Sequence, residues 1–588
     1  MTEEAHQRGK VLPEPGKRNI LITSALPYVN NVPHLGNLIG SVLSADIFAR
    51  YCRGRKINTL YVCGTDEYGT TSETRALVEK CTPRQLCDKY HTIHAAVYDW
   101  FNISFDIFGR TTTELQTEIT HDIFLKLHEN GFLKEEMTTQ LYCQEHNSFL
   151  ADRFVKGECP HFTYADAHGD QFDGATPVTK ETKHVFLELD KLQSEIESFC
   201  QKSSADGAWS NNGKVITSAW LKEGLKPRSI TRDMQWGTPV PLAGYEDKVI
   251  YAWFDACIGY ASITANYTSE WQQWWRNPDN VQLYQFLGKD NVPYHTVIFP
   301  GSQIGTRETW TKLHHLSTTE YLTYEGGKFS KSRGIGVFGD SAQKTGVASD
   351  VWRYYLISHR PETSDSEFNW DSFISANNNL LLKNLGNFVS RVVKFVNSKN
   401  FNNIVPDYTQ YHEPSFDTWK EQVNGLLTEY IQKLDAVKVR GALSTVMSMS
   451  QQGNVFLQSN NLNNKLAEEE PLKCAAVIGI AVKLIHLLAS VLSPFMPDTA
   501  KSMNDQLRIK PLPIPDHWDA DSIKPQHEIG KAAHLFSNIK PEKGEEWRRM
   551  FGGQEAQKVK EEEAARKAAK KAAMKGGKAS QKGMKADA

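Results

Sequence analysis

Residues 23–37 read "TSALPYVNNVPHLGN". Before them, "NILIT" (19–23) is β-branched and uncharged, the pattern of a buried strand. After them, "LIGSVLSADIFARYCR" (38–53) carries apolar residues at helical spacing. Strand, loop and helix make the first half of a βαβ unit. A βα connection usually takes about 2–6 residues, so this one is long for a mere link. Pro27 and Pro33 stiffen it, and Gly36 lets backbone approach another group closely. A helix N-terminus carrying His34, Gly36 and Asn37 is a good anion site, because free N–H groups and the helix dipole both favour phosphate. Alone, "HLGN" is more often a capped helix start with a satisfied histidine.

Working outward, the alternation continues. "NTLYVCGTDEYGT" reads as a strand, and "TPRQLCDKYHTIHAAVYDWF" and "TTTELQTEITHDIFLKLHENG" as helices, the second running from a Thr cap to Gly131. Such alternation predicts a parallel sheet covered by helices. From about residue 137 to 227 the rhythm breaks into short strand-like pieces and turns, an insertion. It is expected to resume with "SITRDMQWGTPVP", "KVIYAWFDACIGYASI" and "VQLYQFLGKDNVPYHTVIFP". "TYEGGKFSKSRGIGVFGD" is rich in Gly and Lys and reads as a mobile surface loop. From about 350 to 506 apolar residues recur at three/four spacing, the pattern of an antiparallel helical bundle.

The 588 residues exceed one hydrophobic core, so roughly three or four domains are expected. With 40% hydrophobic and 23% charged residues the chain fits a soluble globular protein. No apolar run is read as long enough to span a bilayer. The acidic, apolar-poor start "MTEEAHQRGKVLPEPGKRN" argues against a secretory or transit leader. Nine scattered cysteines fit a reducing compartment. The net charge is −2, yet the last thirty or so residues are strongly basic, which points to a polyanionic partner.

In "GGKFSKS", Lys328 and Lys331 stand beside Ser330 and Ser332. Two ammonium groups on a loop can fold over a triphosphate and stabilise charge developing at its α-phosphate. Taken alone this is a solvated basic loop. Together, in this order, His34-Leu35-Gly36-Asn37 and Lys328-Phe329-Ser330-Lys331-Ser332 resemble the paired HIGH and KMSKS signatures of class I aminoacyl-tRNA synthetases. With "CGTDEYGT", "SITRDMQWGTPVP", "WFDACIGY" and "KDNVPYH", the chain from about 18 to 506 resembles the methionyl-tRNA synthetases of eukaryotic cytosolic type.

The resemblance implies a fold and a site. The fold is α/β, a Rossmann-like parallel-sheet catalytic domain with an inserted connective subdomain, followed by an all-α anticodon-binding bundle. The implied division is an N-terminal extension (1–18), catalytic halves (19–136 and 229–320) and a connective insertion (137–228). After these come the KFSKS loop with a linking segment (321–370), the anticodon domain (371–535) and a basic tail (536–588). His34, Asn37, Lys328 and Lys331 would be catalytic. His34, Gly36, Asn37, Lys289, Asp290 and Lys331 would bind ATP, with Mg²⁺ accompanying the nucleotide. Leu26, Tyr28, Asp66, Trp253, Ala256, Tyr260 and His295 would bind L-methionine, and Arg232 would close over the substrates. Aromatic walls suit a polarizable thioether. A Tyr hydroxyl and a His N–H are expected to read its sulfur, and Asp66 with its neighbour Glu67 to hold the ammonium. Cys257, inside the pocket motif, receives no role. The implied chemistry is methionyl-adenylate formation, then transfer to the acceptor end of tRNA(Met), by positioning and electrostatics. Discrimination against leucine or norleucine is the hard step.

Departures from the family pattern set further expectations. The insertion keeps Cys143, His146 and Cys159, but Phe162 replaces a fourth ligand, so structural zinc is doubtful and no metal site is assigned. Asn387 and Arg391 in "NLGNFVSR" would face the CAU anticodon. Leu462 and Asn463 stand where relatives carry a stacking Pro-Trp pair. The Lys/Ala-rich tail is either a contact to the tRNA backbone or a solvated tail. Membership of a larger synthetase complex is open, and no membrane partner is expected. The pocket motif and the lack of a large editing insertion argue against sister synthetases for leucine, isoleucine or valine, and the catalytic zinc-binding cysteine pattern expected of the cysteine enzyme is absent. A non-catalytic tRNA-binding paralogue is the alternative from another class.

Overall fold

The computed structural model describes residues 9–144, 148–149, 156–157, 167–168, 178–330 and 333–553. Strand β1 (Asn19–Ser24) runs into a loop that ends in a short helical turn, Leu35–Asn37. A π turn (Leu38–Val42) joins that turn to helix α1 (Leu43–Gly54). Strand β2 (Asn58–Thr65), helix α2 (Pro83–Trp100), strand β3 (Ile107–Arg110) and helix α3 (Glu114–Glu129) follow. Thr113 caps α3 by accepting the Gln116 N–H, and Gly131 beyond its end has φ +74°. Strands β4 (Leu133–Cys143) and β5 (Val178–Leu187) form an antiparallel ladder in the insertion, Leu133 opposite Leu187. Strands β6 (Val281–Gly288) and β7 (Leu313–Thr319) return to the first sheet.

That sheet has the order β7-β6-β1-β2-β3, and every pairing in it is parallel. β1 lies between β2 and β6: Leu21 stands beside Leu60 on one side and Leu283 on the other. The chain leaves β1 in one direction and comes back on its other flank. This reversal makes the C-terminal ends of β1 and its neighbours the natural crevice for a ligand. Both faces of β1 are buried. Ile20 and Ile22 pack into one hydrophobic core and Leu21 into the other, which is why the strand is apolar throughout rather than alternating.

The expected βα rhythm does not resume at residue 229. Residues Thr231–Arg232 pair antiparallel with Val249–Ile250 as a small separate ribbon, and parallel pairing resumes only at β6. These stretches carry Pro239, Pro241 and several turn residues, which break a long strand.

Helix α4 (Ser349–Ser358) leads out of the sheet domain. Helices α5 (Asn387–Val396), α6 (Pro414–Asp435), α7 (Val439–Ser459) and α8 (Pro471–Leu492) build the helical part. Contrary to the sequence reading, α8 is long and apolar enough to cross a bilayer. The apolar stretch that qualifies is wholly buried, so α8 is the central helix of the bundle.

The chain then turns back. Helix α9 (Glu542–Phe551) lies in the segment read as tail, yet Phe536, Trp547 and Phe551 are buried. Trp547 and Phe551 pack on Trp370 at 4.9 and 5.8 Å between ring centroids. Arg548 bridges Glu325 and Asp371. Tail character in the sequence is a charge pattern, and three aromatics spaced through charged residues escaped it.

Candidate active site

Three loops meet at the C-terminal edge of β1, β2 and β6. The first is the stretch after β1. His34 is the N-cap of its helical turn: Nδ1 accepts the Gly36 N–H at 3.0 Å, and Asn37 Oδ1 accepts the His34 N–H at 3.2 Å. A Cβ on Gly36 would meet the His34 ring at 2.8 Å, so the cap needs glycine there. Burial pushes the imidazole pKa down to about 4, so the ring is neutral at pH 7. Because Nδ1 accepts, the proton sits on Nε2, which is then the donor a phosphate oxygen needs.

The second loop is the KFSKS stretch. Phe329 stacks on His34 with centroids 5.0 Å apart and planes 11° apart. Gly339 N–H donates to Pro33 O at 2.8 Å, and His34 bridges to Phe338. Ser330 and Ile335 exchange backbone hydrogen bonds at 2.9 and 2.8 Å, and Gly336 N–H donates to Phe551 O at 2.9 Å. The described residues of this loop thus contact the HLGN turn on one side and α9 on the other. Lys328 is exposed beside the stack. Lys331 and Ser332 lie outside the described residues.

The third element is the aromatic cleft. Tyr28 and Trp253 meet edge to face at 5.9 Å, and Trp253 stacks on Tyr294 at 3.9 Å. Tyr28 pairs with Asp66 through a β-bridge, with Asp66 N–H donating to Pro27 O at 2.9 Å. A small cavity of ≈140 Å³ opens between Tyr28, Tyr68, Arg232, Trp236, Tyr251 and Trp253. The Arg232 guanidinium lies 3.7 Å over the Tyr251 ring, on the wall of this cavity. Behind it, Asp233 is held by Lys248 and by His184. A larger cleft of ≈520 Å³, around Arg18, Asn280 and Lys312, lies at the opposite end of the strands, away from these loops.

Asp66 is 3% exposed, and its Oδ1 has no hydrogen-bond partner. Burial, with Asp255 and Glu67 nearby, drives its pKa well above the ordinary carboxylate value. A substrate ammonium would supply the missing partner and charge. Glu67 does not share that task. It accepts from Arg110 Nε at 2.9 and 3.0 Å and from the hydroxyls of Thr65 and Thr112, so it is a buried strut. Asp255 is fully buried, accepts the Thr238 hydroxyl at 2.8 Å, and has its pKa pushed up to about 7 by burial.

Deeper in, Tyr260 OH lies 2.8 Å from His295 Nε2, and His295 Nδ1 lies 2.9 Å from Asn291 O. A carbonyl only accepts, so His295 carries its proton on Nδ1 and presents a lone pair at Nε2. Burial lowers its pKa to about 4, so the ring stays neutral. The expected His N–H is therefore committed to Asn291, and the donor facing the cleft is not the histidine. Leu26 and Ala256 are half-buried, and Leu26 lies against Gly259.

The remaining residues fall elsewhere. Lys289, just past β6, binds Glu320 at 2.5 Å, and Asp290 accepts the Tyr321 hydroxyl at 2.6 Å. Both are therefore engaged with neighbours of the crevice. Asn387 and Arg391 are exposed and four apart on α5, on one face with Lys383. Asn463 caps the next helix by accepting the Leu466 N–H at 3.0 Å, and Leu462 packs on the core, so neither replaces a stacking aromatic. The side chains of Cys143, His146 and Cys159 lie outside the described residues. Among the described residues no cluster of His, Cys, Asp and Glu has metal-site geometry. Sequence reading missed Tyr294, though it stands beside His295 in "KDNVPYH". It also missed Trp236, whose indole N–H donates to Glu67 O at 2.7 Å.

The family model for class I tRNA synthetases (M) matches residues 20–393, and the model for the anticodon binding domain of methionyl tRNA ligase matches residues 405–556. The chain belongs to the methionine group of class I tRNA synthetases. It is 55% identical over 565 residues to the cytoplasmic methionine–tRNA ligase of Saccharomyces cerevisiae, covering 93% of this chain and 75% of that protein. The cytoplasmic methionine–tRNA ligase of Homo sapiens is 48% identical over 573 residues, covering 94% of this chain and 63% of that protein. The fold matches Mycobacterium tuberculosis methionyl-tRNA synthetase, solved in complex with methionyl-adenylate. That comparison has a TM-score of 0.75 at 20% identity, over 88% of this chain and 99% of that one. Family membership thus agrees with the parallel sheet and helical bundle derived above.

Proposed function

We propose that this chain ligates L-methionine to tRNA(Met) in the cytoplasm, using ATP and a methionyl-adenylate intermediate. The observation that carries this reading is Asp66 Oδ1, a buried carboxylate oxygen without a partner at the rim of the Tyr28–Trp253–Tyr294 wall. That arrangement suits an α-ammonium joined to an apolar, polarizable side chain. The identity to the yeast and human ligases supports it.

The chemistry follows from the donors. The methionine carboxylate attacks the α-phosphorus of ATP, and pyrophosphate leaves. No protein nucleophile is required. The Nε2–H of neutral His34 and the side-chain amide N–H of Asn37 hold phosphate oxygens. The ammonium groups of Lys328 and Lys331 stabilise the charge that develops there, and Mg²⁺ accompanies the nucleotide. The terminal ribose hydroxyl of the tRNA then attacks the activated carbonyl, forming the ester, and AMP leaves. Asn387 and Arg391 read the CAU anticodon, and the basic residues after 553 hold the tRNA backbone through salt-sensitive contacts.

The test is methionine-dependent exchange of pyrophosphate into ATP, followed by charging of tRNA(Met). Exchange that requires methionine is the expected result. A folded chain that binds tRNA without exchange would be a non-catalytic paralogue, and the proposal would fall.

A further inference from the structure

Cys257 is buried beside Tyr294 and His295, with two acceptors in reach. Its Sγ lies 3.8 Å from His295 Nε2 and 3.9 Å from Tyr294 O. The residue is 5% exposed, and burial drives the thiol pKa up, so it remains an S–H donor. His295 Nε2 is a lone pair, because Nδ1–H is held by Asn291 O. In the structure Tyr260 O–H fills that lone pair at 2.8 Å. The Leu26 backbone N–H faces the same Tyr260 oxygen. All the donors of this cluster are therefore engaged.

A thioether sulfur accepts hydrogen bonds and donates none. To read it, Tyr260 O–H must turn from His295 toward the substrate. That turn leaves Nε2 as a buried acceptor without a donor, an unfavourable state. Among the described residues one other side-chain donor stands within reach of Nε2, the Cys257 thiol. It needs only to rotate from Tyr294 O.

We propose that Cys257 is a positioning residue for methionine selection: its thiol takes over the bond to His295 and releases the Tyr260 hydroxyl to the substrate sulfur. The inference rests on the methionine reading above. It also explains how a pocket separates methionine from norleucine, whose CH₂ replaces the sulfur. Norleucine offers no acceptor, so Tyr260 stays on His295 and Cys257 is not called on. Apolar fit alone separates such isosteres weakly.

The experiment compares Cys257→Ala with Cys257→Ser. Both shorten the side chain, and serine alone keeps a donor. Pyrophosphate exchange is measured with methionine and with norleucine, and the ratio of their kcat/KM values is the readout. The alanine variant is expected to lose about fivefold of the ratio, the size of one net hydrogen bond, and the serine variant to stay within about twofold of the unmodified chain. Circular dichroism and ATP binding check that both variants are folded. A ratio unchanged in the alanine variant overturns the inference, as does an equal fall in both variants. Absence of methionine-dependent exchange in the unmodified chain overturns the functional reading itself, and this inference with it.

Discussion

His34 and Phe329 lie face to face, 5.0 Å between ring centroids, and so join the two signature loops. The histidine ring is fixed from below by Gly36 and from above by the phenylalanine, which leaves Nε2–H as its free edge. An aromatic pair of this kind contributes about 0.5–1.5 kcal/mol beyond its area. Phe329→Ala should therefore lower kcat/KM for ATP about two- to tenfold, with KM for methionine unchanged. Exchange kinetics with each substrate varied in turn would measure it. Equal changes in both KM values would mean that the stack only supports the fold.

Asp66 gives a proton-linkage prediction. Its pKa is raised, chiefly by burial and then by Asp255 and Glu67. The methionine ammonium stabilises the ionised form, so the carboxyl must release its proton on binding. Methionine affinity should then rise with pH up to the raised pKa, and binding should release protons below it. Calorimetry in buffers of different ionisation enthalpy counts those protons. The Asp66→Asn variant should release fewer and bind methionine about ten- to a hundredfold more weakly, the size of a lost charge-assisted bond.

How much of this was legible in the sequence depended on the range of each interaction. The parallel sheet was, because β1, β2 and their helices carry local periodicities that survive without partners. So was the cap at His34, since Gly36 and Asn37 follow it directly. The Phe329–His34 stack joins residues almost three hundred positions apart, and no local pattern announces it. Glu67 looked like a second ammonium ligand because it adjoins Asp66. Its true partner, Arg110, arrives from β3 at the far side of the β2 edge. The return of α9 was hidden for a similar reason: Trp547 and Phe551 acquire meaning only once Trp370 stands opposite them.

Two buried histidines set an acid limit. His295 and His315 are 5% and 4% exposed, and burial lowers each pKa from 6.5 to about 4. In the unfolded chain both would take up protons near pH 6.5. Their contribution to stability is thus fully present above about pH 6.5 and is lost as pH falls toward 4, about 2 kcal/mol per histidine at pH 5. The unfolding midpoint should drop between pH 7.5 and pH 5. His315→Gln should show a smaller drop than the unmodified chain, and an identical drop would remove His315 from this account.

The joint between the sheet and the helical part turns on a single buried cation. Arg353 in α4 is 0% exposed, as is Asp46 in α1, and Nη2 meets Oδ2 at 2.7 Å. The same guanidinium donates to the carbonyls of Pro494 and Phe495 at 2.8 and 2.7 Å and to Phe101 O at 2.9 Å. Asp46 accepts in addition from Ser104 N–H and from Arg50. Removing one member of so complete a network leaves buried groups without partners, at a cost of roughly 3–5 kcal/mol. Arg353→Met should therefore destabilise the chain strongly in urea unfolding. It should also loosen the loop after α8, where hydrogen exchange at residues 493–496 should accelerate. Asp46 keeps Arg50 and Ser104 in that variant but has lost its Arg353 partner, so adding Asp46→Asn should cost less than Asp46→Asn alone. A double variant whose loss equals the sum of its singles would mean that Asp46 is held by Arg50 and Ser104 alone, with Arg353 acting only through the carbonyls beyond α8.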